Sequence, residues 1–193
     1  MSKNDKPKGE KLGWCLLNSE KSYQSPWFDL RHDKLILPNG QDIVYTYVEH
    51  PGSVFVIPLT SDREICLIRS YRYTVDDWCW EVPAGCLGDQ IGSSPEEVAH
   101  QELREEIGGI TTQLESLGWY YMANGFARLK NHFFIAYDVR LNEPTQHESM
   151  EIIDRICFVS IEDALEMICT GEVNDGESAF ALLLAIKTLK RKF

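Results

Sequence analysis

The chain has 193 residues, of which 44% are hydrophobic and 25% are charged. This length suits one full domain, or one domain with a small appendage, and the composition excludes a disordered, collagen-like or coiled-coil chain. The 30 acidic residues outnumber the 19 lysines and arginines, so the formal net charge is -11 and the phosphate backbone of a nucleic acid would be repelled. We therefore expect no nucleic-acid partner.

Residues 1–12 are polar and rich in lysine, and they predict a flexible lead-in without a core of its own. No window of the sequence approaches the roughly 18 apolar residues of a membrane span, and no signal peptide is recognisable. These features predict a cytoplasmic protein that does not bind membranes. The six cysteines form no C-x-x-C pair, which favours free thiols over a zinc site or a disulfide framework.

A small antiparallel β region is predicted over residues 13–50. Three runs rich in apolar, β-branched and aromatic residues predict its strands, at residues 27–31, 34–37 and 43–48. Turn residues at 38–40 precede the last of these runs. The apolar runs on either side of a polar turn at 60–63 predict a second hairpin over residues 54–69. Further strands are predicted near 119–121, 132–137 and 156–159.

The strongest local signal is the start of a helix at Ser94. Serine is a good N-cap, Pro95 suits the first helical position, and Glu97 lies where a capping box requires it. The pattern predicts a helix that ends at Gly108, where glycine can adopt the left-handed conformation that closes a helix.

Two more helices are predicted near the end of the chain. The first is capped by Ser160 and ends near Gly171, and the second is capped by Asn174 or Asp175 and ends in a segment rich in lysine and arginine. One helix between strands and two helices after them predict an α+β sandwich over residues 51–193.

Three carboxylates on the central helix suggest chemistry. Glu102, Glu105 and Glu106 stand at positions i, i+3 and i+4, so their side chains project from neighbouring turns of the same side. Clustered carboxylates suit Mg²⁺ or Mn²⁺, which prefer oxygen ligands and bind alongside substrate phosphates. A solvated acidic face is the alternative interpretation of this spacing.

The segment around these carboxylates resembles the box of the Nudix hydrolase family, whose pattern is G-x5-E-x7-R-E-U-x-E-E-x-G-U with U aliphatic. The matching positions are Glu102, Leu103, Glu105, Glu106 and Gly108.

Four positions depart from the pattern. Gly85 lies two residues too far upstream, Ser93 replaces the first glutamate, Gln101 replaces the arginine, and Gly109 replaces an aliphatic residue. Because the lost glutamate and arginine form a supporting pair in the family and both replacements are neutral, no buried charge is left unpaired and the box is expected to fold. Weaker positioning of Glu102 keeps open the alternative of a catalytically weak nucleotide-binding module.

Segments outside the box resemble the ADP-ribose pyrophosphatase branch of the family, at residues 50–59, 67–73 and 80–85. This resemblance implies a Nudix-type α/β/α sandwich with a mixed sheet and an N-terminal β extension that helps to build a homodimer. It also implies Mg²⁺, with Mn²⁺ as an alternative, and a small nucleoside diphosphate substrate such as ADP-ribose or another nucleotide sugar. Asn124 stands where the branch has proline, and the acidic residue that follows in the branch is missing. Arg128 and Lys130 make this loop basic, which favours a more anionic substrate or a substrate other than ADP-ribose.

The resemblance also implies metal-binding and catalytic residues. Glu102, Glu106 and the backbone carbonyl of Ala84 would bind metal, and Glu105 would complete or orient the cluster. A glutamate from a later loop acts in this branch as general base or extra ligand, and the candidates here are Glu148 and Glu151, which the sequence does not separate.

Two positions are implied to contact the substrate. Arg72 would bind phosphate through paired hydrogen bonds, and Glu81 would bind ribose hydroxyls. A surface ion pair is the alternative interpretation of Arg72.

Overall fold

The structure is a computed structural model that describes residues 7–88, 92–146 and 151–192. The helices are α1 (Pro95–Ile107), α2 (Ile161–Thr170) and α3 (Gly176–Lys192). The strands are β1 (Cys15–Gln24), β2 (Asp29–Ile36), β3 (Asp42–Glu49), β4 (Ser53–Pro58), β5 (Ile65–Arg72), β6 (Asp77–Glu81), β7 (Ala84–Cys86), β8 (Gly109–Ile110), β9 (Gln113–Met122), β10 (Ala127–Tyr137), β11 (Arg140–Leu141) and β12 (Ile153–Val159). A single 3-10 turn covers Glu10–Leu12.

The chain divides into two compact units, of which the first comprises Met1–Gly52 and Tyr121–Lys130. In this unit β1, β2 and β3 pair antiparallel in sequence order, and the start of β10 pairs parallel to β3. The antiparallel strands predicted before residue 50 are therefore present. Most of the two runs at 27–31 and 34–37 lies in one continuous strand, β2. Strand β1 was not predicted.

The second unit comprises Ser53–Tyr120 and Asn131–Phe193. Here β4 pairs parallel with β10 on one side and antiparallel with β7 on the other. A second sheet has the strand order β12-β5-β6 with antiparallel pairing. The predicted hairpin over residues 54–69 is wrong, because β4 and β5 enter different sheets. Antiparallel contact is confined to the turn itself, where Leu59 forms an isolated bridge with Ile65.

The sheet that contains β4 has helices on both faces, since alternate residues of a strand point to opposite sides. Val54 and Val56 belong to a buried cluster with Leu103 of α1. On the other face Phe133 of β10 packs against Phe180 of α3, with 5.3 Å between ring centroids. The predicted α+β class with an α/β/α arrangement is thus confirmed in this unit.

The helix boundaries follow the predicted caps. The Ser94 hydroxyl accepts the Glu97 N–H at 3.2 Å, the Glu97 carboxylate accepts the Ser94 N–H at 2.7 Å, and Gly108 closes α1 with φ of 63°. Ser160 and Gly171 bound α2 as expected. Among the described residues, no helix is long and apolar enough to cross a membrane.

Candidate active site

Three carboxylates of the second unit converge. Glu102 and Glu106 lie one turn apart on α1 and are 7% and 3% exposed, and Glu151 lies two residues before β12. Each of the three offers a carboxylate oxygen, and these oxygens all lie within 4.8 Å of one another. The two helical carboxylates are therefore buried, which excludes the alternative of a solvated acidic face for them.

Neighbouring backbone fixes these side chains. The Glu106 carboxylate accepts the Ala84 N–H at 2.9 Å. The Glu102 carboxylate lies against Gly85, where an added Cβ would be only 1.9 Å from Glu102 Oε1. Glycine at this position therefore allows an approach that any side chain would block. Glu151 is adjacent to Ile152, whose carbonyl accepts the Tyr71 N–H at 2.9 Å and so links this end of the loop to β5.

The three carboxylates repel one another, and the burial of Glu106 disfavours its charge. Burial, together with repulsion from Glu102 and Glu151, raises the pKa of Glu106 well above its usual range. The Ala84 N–H and the positive charge of Arg72 act in the opposite direction. Because all three donors are oxygen atoms, this arrangement fits a hard divalent cation, whose charge would relieve the repulsion.

An ion pair between a half-exposed arginine and a buried carboxylate lies in the same unit. Arg72 Nε and Nη2 donate to the two carboxylate oxygens of Glu81 at 2.8 Å and 2.5 Å. The Glu81 side chain is 4% exposed, whereas that of Arg72 is 50% exposed. Hydrogen bonding to Glu81 raises the pKa of Arg72, and burial raises the pKa of Glu81 although the Arg72 charge lowers it. Arg72 is thus paired with a buried carboxylate, while half of its own side-chain surface is exposed.

Two further residues were predicted for the site, Glu105 and Glu148. The Glu105 carboxylate accepts the Gln101 side-chain amide at 2.9 Å, and Glu105 is not one of the three clustered carboxylates. Glu148 lies outside the described residues. Of the two candidates that the sequence left open, Glu151 lies in the cluster, and Glu148 belongs to a segment that the structure does not describe.

Asp175 and Ser178, at the start of α3, were not predicted as site residues. The Asp175 carboxylate accepts the Ser178 N–H at 2.7 Å, and the buried Ser178 hydroxyl accepts the Val82 N–H at 3.2 Å. The negative charge of Asp175 contributes to the raised pKa values of Arg72 and Glu81. The sequence indicated Asp175 only as a helix cap, and no local motif connects it with a segment about ninety residues earlier.

Comparisons with known proteins identify the family of the chain. The family model for the NUDIX domain matches residues 49–181, and the model for the nucleoside diphosphate sugar hydrolase N-terminal domain matches residues 14–48. An ADP-ribose pyrophosphatase of Bacillus subtilis (strain 168) is 30% identical over 163 residues, which cover 84% of this chain and 87% of the relative. An ADP-ribose pyrophosphatase of Mycobacterium tuberculosis (strain ATCC 25618 / H37Rv) is 29% identical over 92% of this chain and 84% of its own.

A solved structure supports the same fold. The crystal structure of an ADP compounds hydrolase superposes with a TM-score of 0.80 and 23% identity, and the match covers 93% of this chain and 95% of the other. The matched family model covers more than half of the chain and includes all three clustered carboxylates. The chain therefore belongs to the Nudix family and is a Nudix pyrophosphohydrolase.

Proposed function

We propose that the protein hydrolyses the pyrophosphate bond of a nucleoside diphosphate linked to another group, ADP-ribose or another nucleotide sugar, with the help of a divalent metal ion. The observation that carries this proposal is the buried cluster of Glu102, Glu106 and Glu151, within the electrostatic influence of Arg72. The matched N-terminal model for nucleoside diphosphate sugar hydrolases and the relatives named ADP-ribose pyrophosphatase support the substrate class.

The donor set supports Mg²⁺, with Mn²⁺ as the alternative. Glu102, Glu106 and Glu151 would hold the ion together with the backbone carbonyl of Ala84, and Glu105 would influence the cluster from outside it. When bound, such an ion neutralises charge on phosphate oxygens and lowers the pKa of water.

The chain's own residues would position the substrate. We propose that Arg72 donates hydrogen bonds to a phosphate, because a guanidinium matches the geometry of phosphate oxygens and this one is half exposed. Glu151 is the preferred candidate for the loop glutamate that accepts a proton from the attacking water or serves as an extra ligand. Addition of water to ADP-ribose across the pyrophosphate would give AMP and ribose 5-phosphate.

A substrate panel tests the proposal. The purified protein would be assayed with ADP-ribose, other nucleotide sugars and dinucleoside polyphosphates in Mg²⁺ and in Mn²⁺, and the products separated by chromatography. We expect turnover of at least one nucleotide sugar, with loss of activity on chelation. Folded protein that hydrolyses none of these compounds would refute the proposal, and nucleotide binding without turnover in calorimetry would favour the weak binding module instead.

We also propose that the protein works as a cytoplasmic homodimer assembled through its first unit. Apolar side chains on the first and third strands of that unit are exposed, and Leu17 and Val44 are 58% and 61% exposed. Pairing of two copies would cover such surface. Light scattering coupled to size-exclusion chromatography should give twice the monomer mass, and a monomer at micromolar concentration would contradict the proposed assembly.

A further inference from the structure

We infer that Glu81 is a positioning residue, which orients the guanidinium of Arg72 so that Arg72 contacts the substrate and Glu81 acts only through it. The inference rests on the proposed function, since it takes Arg72 as a phosphate-binding residue. It differs from the expectation that Glu81 itself binds ribose hydroxyls.

The direction of the Arg72 side chain is the first observation. In the antiparallel pair of β5 and β6, Arg72 lies opposite Asp77, and Ile68 lies opposite Glu81. Side chains that lie directly opposite each other on neighbouring strands usually interact, so the register alone would favour an ion pair between Arg72 and Asp77. The guanidinium instead bonds to Glu81, four residues further along β6. The side chain of Arg72 therefore extends back along the sheet toward the end of β6, which leads into Ala84, the residue that donates to Glu106.

The use of the Glu81 oxygens is the second observation. Both accept from Arg72, and the residue is 3% exposed, so neither is oriented toward open solvent. A buried carboxylate is stabilised when a cation satisfies it in this two-point geometry. The pair uses Nε and Nη2 of Arg72, which leaves Nη1 outside it. Within the part of the chain that the structure describes, Arg72 therefore has hydrogen-bond donors beyond those that Glu81 accepts, whereas both Glu81 oxygens are engaged by Arg72.

The anchoring of Glu81 is the third observation. The residue after it, Val82, donates its N–H to the buried hydroxyl of Ser178 in α3. Asp175 caps the same helix end and attracts the Arg72 guanidinium electrostatically. Helix α3 thus holds the backbone beside Glu81, and a fixed carboxylate can define the position of a long, otherwise mobile arginine side chain.

A double-mutant cycle tests the inference. Glu81→Gln, Arg72→Ala and the double variant would be compared with the full-length wild type, with Asp77→Asn as the matched control that removes the opposed carboxylate. We expect Glu81→Gln to raise KM for ADP-ribose by about tenfold with a smaller change in kcat, and Asp77→Asn to change neither. In the Arg72→Ala background, Glu81→Gln should change kcat/KM by less than about twofold, because the residue it positions is already absent.

The inference would be overturned if the losses of kcat/KM in the two single variants multiplied in the double variant. Such a result would show that Glu81 contacts the substrate independently of Arg72. Circular dichroism checks each fold, and if Glu81→Gln does not fold, Glu81→Asp replaces it in the same cycle. Calorimetric binding of ADP provides a second cycle that needs no turnover. A wild type that binds ADP but hydrolyses no nucleotide sugar refutes the proposed function while the binding cycle still tests Glu81. A wild type that neither binds ADP nor hydrolyses a nucleotide sugar overturns both.

Discussion

Replacement of Glu106 by glutamine separates the metal-binding role of the cluster from its effect on stability. The Glu106 side chain is 3% exposed, and carboxylate oxygens of Glu102 and Glu151 lie within 4.8 Å of its own. Two unit charges at that distance repel by about 3.5 kcal/mol at an effective dielectric constant of about 20. Burial and this repulsion raise the pKa of Glu106, so they disfavour its charged form in the metal-free protein.

Glutamine keeps an oxygen that can accept the Ala84 N–H but removes the charge. We expect the metal-free variant to be more stable by about 1–3 kcal/mol, a fraction of the repulsion, whereas an exposed pair on a helix would give only about 0.2–0.5 kcal/mol. For a chain of this size each kcal/mol raises Tm by about 2–4 °C. Turnover should fall by about 100-fold or more, because several kcal/mol of transition-state stabilisation depend on the cation.

Thermal unfolding with and without Mg²⁺, and hydrolysis at limiting Mg²⁺, measure the two effects separately. Glu96→Gln is the matched control, because it makes the same chemical change at an exposed position on the first turn of the same helix. It should change neither Tm nor kcat appreciably. Wild-type turnover by Glu106→Gln at limiting Mg²⁺, or a lower Tm without metal, would refute the reasoning.

Three further substitutions test other parts of the structure. Gly85→Ala places a Cβ 1.9 Å from Glu102 Oε1, so it should displace this flexible carboxylate and weaken Mg²⁺ binding in calorimetry while Tm changes little; unchanged affinity would argue against Glu102 as a ligand. Ser94→Ala removes the hydroxyl that accepts the Glu97 N–H and should cost about 1 kcal/mol in urea unfolding, and no loss would show that the cap is dispensable. Burial, with repulsion from Asp33 and Glu49, raises the pKa of Tyr47 from 10.0 to about 12. The folded state therefore keeps this proton up to a higher pH than the unfolded state does. The free energy of unfolding should accordingly fall as the pH rises from 10 to about 12. Tyr47→Phe should reduce that loss in urea unfolding, and an unchanged pH profile would exclude Tyr47 as its source.

Local chemistry explains why the helices could be predicted. Each helix end is determined by residues within one turn of it, so the local sequence is sufficient to predict where the helix begins and ends. These residues are the N-caps Ser94 and Ser160 and the glycines at 108 and 171. Strand β1 lacks such a determinant, because most of its side chains are exposed and it shows no regular alternation. Its extended conformation depends on pairing with β2, which a local pattern does not specify.

The wrong hairpin illustrates the limit of turn signals. The chain does reverse at residues 60–63, where the Arg63 N–H donates to the Thr60 carbonyl. However, β4 and the first half of β5 consist almost entirely of apolar residues, and both segments are buried on their two faces. Such strands can pair with any neighbour of suitable shape, and β4 pairs with β10, more than seventy residues later. Partner choice was therefore determined by tertiary packing, which the turn does not encode.

The site shows the same division between local and distant determinants. Glu102 and Glu106 could be predicted because their spacing places them on one side of a helix. Glu151 could not be separated from Glu148, because loop residues have no periodicity and the position of Glu151 depends on the backbone link between Ile152 and Tyr71. The contribution of Asp175 arises only from the packing of α3 against the end of β6, through Ser178 and Val82.

The departures at Ser93 and Gln101 raise the question of what holds the cluster together without the usual supporting pair. The Gln101 amide donates to Glu105, so this side chain is engaged within α1. Glu102 and Glu106 are instead located by contacts with the backbone of Gly85 and Ala84. Such contacts restrict the carboxylates only if α1 itself cannot rotate or slide.

Backbone hydrogen bonds at the end of α1 supply that restriction. The Gly108 carbonyl accepts the N–H groups of Asn142 and Glu143, and the Glu105 carbonyl accepts the Gln146 N–H. Each such bond contributes about 0.5–1.5 kcal/mol, and a rotation of α1 large enough to move Glu106 away from the Ala84 N–H would break all three. A Cβ at position 108 would also lie 2.0 Å from the Glu143 carbonyl oxygen, so glycine is required for this close contact. Because these determinants lie outside residues 93 and 101, loss of the supporting pair leaves the carboxylate cluster assembled.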